Sequence, residues 1–402
     1  MDAQLHALPA DALRCIYARL ACLVDRCAMA SVCRLWRAAV TNLAPRLPDA
    51  PLPAQLPWLL LPHAEGPTFS CLLSGSALHY LHVPDDARVA RCFGSSDGGW
   101  VFLAFGQTEG HALLNLHTNR RIGLPNATRI GRGLEEYTMV IHAATLSSPP
   151  LDEGCIGAAI VTHALRPTRP NITFWRMGDA VASGAFGTSW SLRVVDIISR
   201  NGAFHCLTRE ERILLCSPVF NEDGVVDYEG MQLRLLPVRG YDQHVHGRYL
   251  VESRGELLMA VRFTPAADRQ MPTSSFRVFR LIESHILNSD KVDYTWDELH
   301  TLGGRMLFIG QGCSRCYEMG DFPGFQDGIY FMDDRRFYNN VLPGEDDSSY
   351  DKVMPMGPDG REYPCSDNGK WPGPSPGGHV ERCFFQLEQE QGEHTSPVWF
   401  LP

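Results

Sequence analysis

The sequence predicts a mainly β fold, in which a small N-terminal helical module precedes a large all-β domain, a β-propeller of six or seven blades. Three observations lead to this class. Apolar residues recur at helical spacing only near the N-terminus, apolar runs of strand length fill the chain beyond Pro67, and turn glycines divide those runs at a regular interval. The predicted boundaries are 1–44 for the helical module, 45–67 for a linker and 68–402 for the propeller.

The helical module is predicted from the spacing of its apolar residues. Pro9 and Asp11 suit the first turn of a first helix, and the apolar residues that follow recur every three or four positions, which is typical of one buried face. Those apolar residues are Leu13, Ile16, Leu20 and Leu23. Asp25 is a suitable N-cap for the helical segment that follows. Its apolar stripe consists of Ala28, Val32, Leu35, Trp36 and Ala39.

A helical piece of roughly 40 residues buries too little apolar surface to be stable alone, so we expect it to pack against a partner or against the rest of the chain. A plain helical cap on the following domain is one alternative. Residues 45–67 contain seven prolines, which predicts an extended connector. The apolar run Trp58–Leu61 inside it should dock on the next domain, since it would be a liability if exposed.

The large domain is predicted from short apolar runs separated by turn residues, for example RYLVES and ELLMAVRF on either side of Gly255. Turn glycines recur at intervals of 48 to 55 residues, at Gly99, Gly154, Gly202, Gly255 and Gly304. An interval of about 40 to 50 residues with four short strands is typical of a propeller blade. A large β-sandwich or barrel is the competing architecture. The segment 343–378, rich in Pro, Gly and Asp, is predicted to be a mobile loop.

Composition limits the possible functions. The net charge of −10 and the lack of a Lys/Arg run disfavour nucleic-acid binding, and no apolar stretch is long enough to span a membrane. Thirteen cysteines without a secretory signal predict free thiols in the reducing interior of a cell, in the cytoplasm or the nucleus.

Candidate chemical sites are weak, and we predict no catalytic residue, no cofactor and no metal site. Cys313 and Cys316 form a C-x-x-C pair, but Cys365 and Cys383, which would have to complete a zinc site, lack the spacing of a second pair. His244 and His246 have no third ligand nearby in the sequence, so we expect a solvated strand surface. Asp333 and Asp334 are adjacent, and neighbouring residues on a strand point to opposite faces, so we expect them to form a turn.

The order of residues in the helical module resembles the F-box motif. The pattern L-P-x-D-x-L-x-x-I-x-x-R-L runs from Leu8 to Leu20, and V-C-R-x-W-R runs from Val32 to Arg37. The resemblance implies that this module binds the Skp-type adaptor of an SCF ubiquitin ligase, and through it a cullin. The residues predicted to contact the adaptor are Leu8, Pro9, Leu13, Ile16, Leu20 and Val32. Trp36 is expected to pack inside the module.

The remainder resembles plant F-box proteins with a KIB-type β-propeller. The resemblance rests on GWVFLAF, LLNLHTNRRIGLP, GRMLFIG, GIYFMDD and the C-terminal PVWFLP, in that order. It implies a receptor whose propeller binds a target protein for ubiquitination. Two alternatives stay open: a propeller interaction module that does not engage the ligase, and a propeller enzyme with convergent carboxylates or a metal in the central channel.

Overall fold

The computed structural model shows three short N-terminal helices followed by a ring of β-sheets. It describes residues 8–20, 22–41, 55–61, 66–74, 77–79, 81–88, 90–106, 109–130, 135–163, 166–184, 193–221, 226–232, 240–265, 272–285, 292–332, 367–373, 379–381 and 397–402. In this part of the chain the α-helices are α1 (Ala10–Arg19), α2 (Leu23–Ser31), α3 (Arg34–Thr41) and α4 (Asp85–Arg88). Short 3-10 helices cover Leu72–Ser74 and Met319–Asp321.

The helices α1, α2 and α3 pack around a small apolar core of their own. This core consists of Leu13, Met29, Ala39 and Val40. As the sequence predicts, α1 begins directly after Pro9 and has Asp11 in its first turn. The predicted N-cap at Asp25 is wrong, because α2 already begins at Leu23 and Asp25 lies inside its first turn.

The described residues form 25 β-strands. The first twelve are β1 Trp58–Leu61, β2 Thr68–Cys71, β3 Ala77–His79, β4 Arg91–Ser96, β5 Trp100–Phe105, β6 Gly110–Asn115, β7 Arg121–Leu124, β8 Ala127–Ile130, β9 Glu136–Leu146, β10 Ile156–His163, β11 Arg166–Arg176 and β12 Val181–Gly184. The others are β13 Val194–Arg200, β14 Ala203–Thr208, β15 Ile213–Phe220, β16 Val226–Gln232, β17 His244–Ser253, β18 Glu256–Thr264, β19 Ser275–His285, β20 Val292–Glu298, β21 Arg305–Phe308, β22 Arg315–Glu318, β23 Gly328–Phe331, β24 Gly369–Trp371 and β25 Val398–Phe400.

These strands form a mainly β, propeller-like arrangement with five regular four-stranded blades. The strand orders are β25-β1-β2-β3, β4-β5-β6-β7, β13-β14-β15-β16, β17-β18-β19-β20 and β22-β21-β23-β24. Between the second and third of these blades, β8 to β12 form a five-stranded sheet that closes on itself, because β12 pairs in parallel with β8.

The predicted number of six or seven blades is therefore wrong: the described residues form five regular blades. The prediction assumed that each glycine interval holds the same four-stranded unit. The interval around Gly154 does not, because β9 and β11 are 11 residues long and their sheet curls until its first and last strands pair. Long, strongly twisted strands favour this kind of closure.

The sheets are arranged as a ring in which each regular blade contacts its neighbours through an edge strand and the closed sheet does so through β9. Contacts between neighbouring sheets run from β25 to β4, from β4 to β9, from β9 to β13, from β13 to β17 and from β17 to β22. The side-chain nitrogen of Trp399 in β25 donates to the carbonyl of Ile309, just after β21, at 2.9 Å. The ring therefore has no open gap at this point.

The first blade joins the two ends of the propeller segment. In this blade β1 pairs antiparallel with β25, with Trp58 opposite Phe400 and Leu60 opposite Val398. All four side chains are buried. The prediction that the run Trp58–Leu61 is buried on the next domain is confirmed, but the predicted linker boundary at residue 67 is wrong, since this run is itself a strand of the ring.

The predicted loop at 343–378 is also interrupted by a strand. Residues Gly369–Trp371 form β24, which pairs antiparallel with β23 and completes the last blade. Apart from residues 367–373, the predicted loop lies outside the described residues.

Candidate functional site

The residues predicted to contact an adaptor lie at different depths of the helical module. Leu13 is fully buried in the core of the module, and Leu8 and Leu20 pack against that core and are half-buried. The burial of Leu13 corrects the prediction for that residue: it stabilises the module and is not available at its surface.

In the described part of the module, three large apolar side chains are exposed. Ile16 is 41% exposed, Val32 55% and Leu35 53%, and Pro9 at the start of α1 is exposed as well. Among all the described residues, seven large apolar side chains are exposed, and three of the seven belong to this module. All three lie within a segment of twenty residues.

Leu35 is the exposed residue that the sequence reasoning missed. Its predicted stripe assumed one continuous helix, but the chain leaves helical geometry between Ser31 and Arg34 and a new helix then begins. That break shifts the helical phase, so Val32 and Leu35 turn outwards while Ala39 stays in the core and Trp36 packs against it. The expected packing of Trp36 is confirmed.

A cluster of potential metal ligands lies where the module meets the first blade. Cys22 precedes α2, Cys71 ends β2 and His79 ends β3, and all three are buried. Their ligand atoms lie within 4.8 Å of one another, with the Cys22 Sγ 3.4 Å from the Nε2 of His79. The hydrogen bond with Cys71 lowers the pKa of the Cys22 thiol to about 5, although burial opposes this. These residues could hold a metal ion.

The centre of the ring is crossed by the turn between β21 and β22. The carboxylate of Asp196, a buried residue of β13, accepts hydrogen bonds from the backbone N–H groups of Gly312 in this turn and of Leu250 in β17, each at 2.7 Å. A side chain at Gly312 would begin 2.6 Å from the Ala144 carbonyl oxygen of β9. One turn therefore contacts the inner strands of several sheets. Burial raises the pKa of the neighbouring Cys313 thiol to about 11.

One end of the ring carries turns that are joined by arginine side chains. Arg200 and Arg254 each reach to the next blade of the ring, whereas Arg315 of β22 reaches past the first blade to the turn between β4 and β5. The pairs are Arg200 with the Gly255 carbonyl, Arg254 with Glu318, and Arg315 with Asp97. The hydrogen bond from Arg254 lowers the pKa of Glu318. We call this surface the turn end, and its bridges connect turns of different blades.

The sequence matches the family model of the KIB1-4 β-propeller over residues 69–353. The chain belongs to the KIB1-4 β-propeller family. No curated protein matches the sequence. A solved structure, the crystal structure of the eukaryotic initiation factor, aligns with a TM-score of 0.24 and 13% identity over 59% of this chain and 54% of that one. The alignment spans about half of that protein and informs neither fold nor function here.

Membership of the KIB1-4 family confirms the KIB-type propeller that the sequence predicts, and the F-box stays a prediction. The structure of this KIB1-4 propeller describes only part of the cysteine group that was considered for a zinc site. Cys313 is buried while Cys316 donates to Ser253 at 3.1 Å. The other two cysteines considered for a zinc site, Cys365 and Cys383, lie outside the described residues. The same is true of Asp333 and Asp334, which were predicted to form a turn.

His244 and His246, at the start of β17, are exposed and half-buried, as expected for a solvated strand surface. A register shift lies between Val245 and Gly247. No disulfide links any of the eleven cysteines that the structure describes. Among the described helices, none combines the length and the hydrophobicity that a transmembrane helix requires.

Proposed function

We propose that this KIB1-4 propeller is a non-catalytic substrate-recognition subunit of an SCF-type ubiquitin ligase. Its helical module would bind a Skp-type adaptor, and through it a cullin, while its propeller would bind a target protein. The observation that carries the proposal is the module itself, which resembles the F-box motif and exposes Ile16, Val32 and Leu35 beside a propeller of this family.

Exposed apolar side chains on a small helical module are costly unless a partner covers them, because each loses favourable burial and promotes aggregation. A protein partner would remove Ile16, Val32 and Leu35 from water. Anchors of this kind typically contribute about 2 kcal/mol or more each at an interface. The sequence resemblance supplies the identity of the partner, and the exposure supports the presence of an interface.

The propeller suits a receptor because arginine side chains connect its turns at one end of the ring. The arginine bridges of the turn end preorganise the surface, and a preorganised surface loses less conformational entropy when it binds. In the proposed complex this chain performs no bond chemistry of its own. It would bring a target lysine close to a charged ubiquitin-conjugating enzyme, so its contribution is proximity. Such a receptor would act in the cytoplasm or the nucleus.

The test is the dissociation constant of the full chain for a purified Skp-type adaptor, measured by calorimetry. The test variant combines Ile16→Asp and Val32→Asp, which place two charges on the exposed apolar surface without touching the module core. The matched control combines Leu151→Asp and Val219→Asp on the propeller, where the two side chains are 50% and 65% exposed. Circular dichroism should show that all three proteins are folded.

We expect the test variant to bind the adaptor at least about 30-fold more weakly than the wild type, the loss that corresponds to one anchor of about 2 kcal/mol. The control should bind like the wild type. Failure of the folded wild-type chain to bind any Skp-type adaptor would refute the ligase role and favour a propeller that acts outside the ligase. Equal losses in both variants would show that the contact is not at this surface.

A further inference from the structure

The Cys22, Cys71 and His79 cluster has the composition of a zinc site. Thiolate and imidazole are the ligands that zinc prefers in proteins, and the three residues are 1%, 0% and 8% exposed. Among the residues that the structure describes, no other group of three metal-binding side chains comes together. The cluster therefore differs from the other buried thiols of the chain.

The distances in the cluster agree with ligands around one ion. Zinc lies about 2.3 Å from a thiolate sulfur and about 2.0 to 2.1 Å from an imidazole nitrogen, so at a tetrahedral angle the sulfur and nitrogen are about 3.6 Å apart. The Cys22 sulfur lies 3.4 Å from the His79 nitrogen. Two thiolates on one ion would be about 3.8 Å apart, and all three ligand atoms here are within 4.8 Å of one another. Movements of about 1 Å or less would complete the geometry.

Charge also favours a divalent ion at this position. Two thiolates carry two negative charges, which a divalent cation neutralises, and a neutral assembly is far cheaper to bury than an isolated charge. Copper(I) accepts the same thiolate and imidazole ligands but would leave one negative charge in the buried cluster. Zinc is therefore the expected ion, with water in the fourth position.

We propose that Cys22, Cys71 and His79 bind a zinc ion that fastens the helical module to the first blade. Cys22 belongs to the module, whereas Cys71 and His79 lie on the neighbouring strands β2 and β3 of the blade. Along the chain, Cys22 and His79 are 57 positions apart. A shared ion would join these distant segments and fix the orientation of the module on the ring. The inference does not rest on the proposed ligase role.

The test is metal analysis of the full chain, purified in reducing buffer without chelator and then dialysed against zinc-free buffer. Elemental analysis for zinc and copper distinguishes the two ions. A second measurement is titration of the metal-free protein with Co²⁺, which gives a thiolate-to-cobalt charge-transfer band and intense visible bands when the ion is bound tetrahedrally.

The main variant is Cys22→Ser, which removes one ligand at the N-cap position of α2, where serine is a favourable residue and the fold should be kept. His79→Asn removes a ligand from the blade side. The matched control is Cys216→Ser, since Cys216 is buried and hydrogen-bonded to another thiol, Cys206, but belongs to no metal-ligand cluster among the described residues.

We expect about one zinc per chain in the wild type and in Cys216→Ser. Cys22→Ser and His79→Asn should bind metal at least about tenfold more weakly, because even the loss of a group that only orients a ligand typically has an effect of that size. Equal Co²⁺ spectra for Cys22→Ser and the wild type would overturn the proposal. So would a wild type that binds neither ion, or one in which mass spectrometry finds a disulfide between Cys22 and Cys71 under these reducing conditions.

Discussion

Replacing Arg262 by methionine tests how strongly a buried ion pair stabilises the ring. Arg262 on β18 is 1% exposed and donates to the carboxylate of Asp367 at 2.7 Å, and the side chain of Asp367 is 3% exposed. The guanidinium also donates to the hydroxyl of Thr273 at 2.7 Å and to the carbonyl of Met332 at 2.9 Å. The backbone N–H of Thr273 donates to Asp367 at 2.9 Å. One cation thus joins the blade of β17 to β20 to both the end of β23 and the start of β24.

Removing the cation leaves a carboxylate buried without its counter-charge. Breaking one side of a buried pair typically costs about 3 to 5 kcal/mol, a large share of the roughly 5 to 15 kcal/mol that stabilises a domain. We expect Arg262→Met to lower the unfolding free energy of the full chain by about that amount, measured by urea denaturation. Adding Asp367→Leu should restore part of the loss, because both charges are then absent and the two changes are not additive.

The control is Arg254→Met at the turn end. Arg254 also contacts a carboxylate, that of Glu318, at 2.5 Å, but both side chains are 41% exposed. Water screens such a pair, so the expected loss is about 1 kcal/mol or less. A loss in Arg262→Met no larger than in Arg254→Met would refute the reasoning that burial decides the contribution of these pairs.

Two further predictions concern the centre of the ring and its pH response. Gly312→Ala should lower the thermal unfolding temperature more than Gly154→Ala does. Both glycines have positive φ, but only at Gly312 would the new Cβ lie close to a carbonyl oxygen, at 2.6 Å. Equal effects would show that this contact is relieved without cost. Burial lowers the pKa of His111 to about 4, so between pH 4 and the ordinary pKa of about 6.5 the unfolded chain binds more protons than the folded chain. The unfolding free energy should therefore decrease as the pH is lowered from about 6.5 to about 4, by at most about 1.4 kcal/mol per pH unit. His111→Gln should flatten that pH dependence, and an unchanged slope would exclude His111 as its source.

Sequence patterns were sufficient for local structure. The five turn glycines that the sequence identifies all have positive φ, from 73° to 84°. A hairpin depends on neighbouring residues, so its turn chemistry and its strand-length apolar runs are visible in the sequence. The same holds for α1, whose start and apolar face are local features.

Features that depend on distant residues could not be predicted in this way. The buried strand β1 reads as part of a proline-rich connector, because its partner β25 lies more than 300 residues further along the chain. The curling of the sheet from β8 to β12 depends on a parallel pair between its first and last strands, which leaves no turn signal.

The candidate site shows the same division. The apolar residues of the helical module were recognised from spacing, but their exposure depends on the break between α2 and α3 and on how three helices pack. The prediction that the chain has no metal site rested on the spacing of cysteines along the sequence. Cys22, Cys71 and His79 meet only because the module packs on the first blade, so no spacing rule identifies them.

The pairing of β1 with β25 determines when folding can finish. Until residues 398–400 arrive, β1 is an edge strand with unpaired N–H and C=O groups, the type of edge that adds foreign strands and starts aggregation. A contact of such high sequence separation also slows folding, because the loop-closure entropy is lost before the contact forms. A nascent chain on the ribosome therefore carries this open edge until β25 has emerged, and interruptions of synthesis before β25 should leave aggregation-prone products.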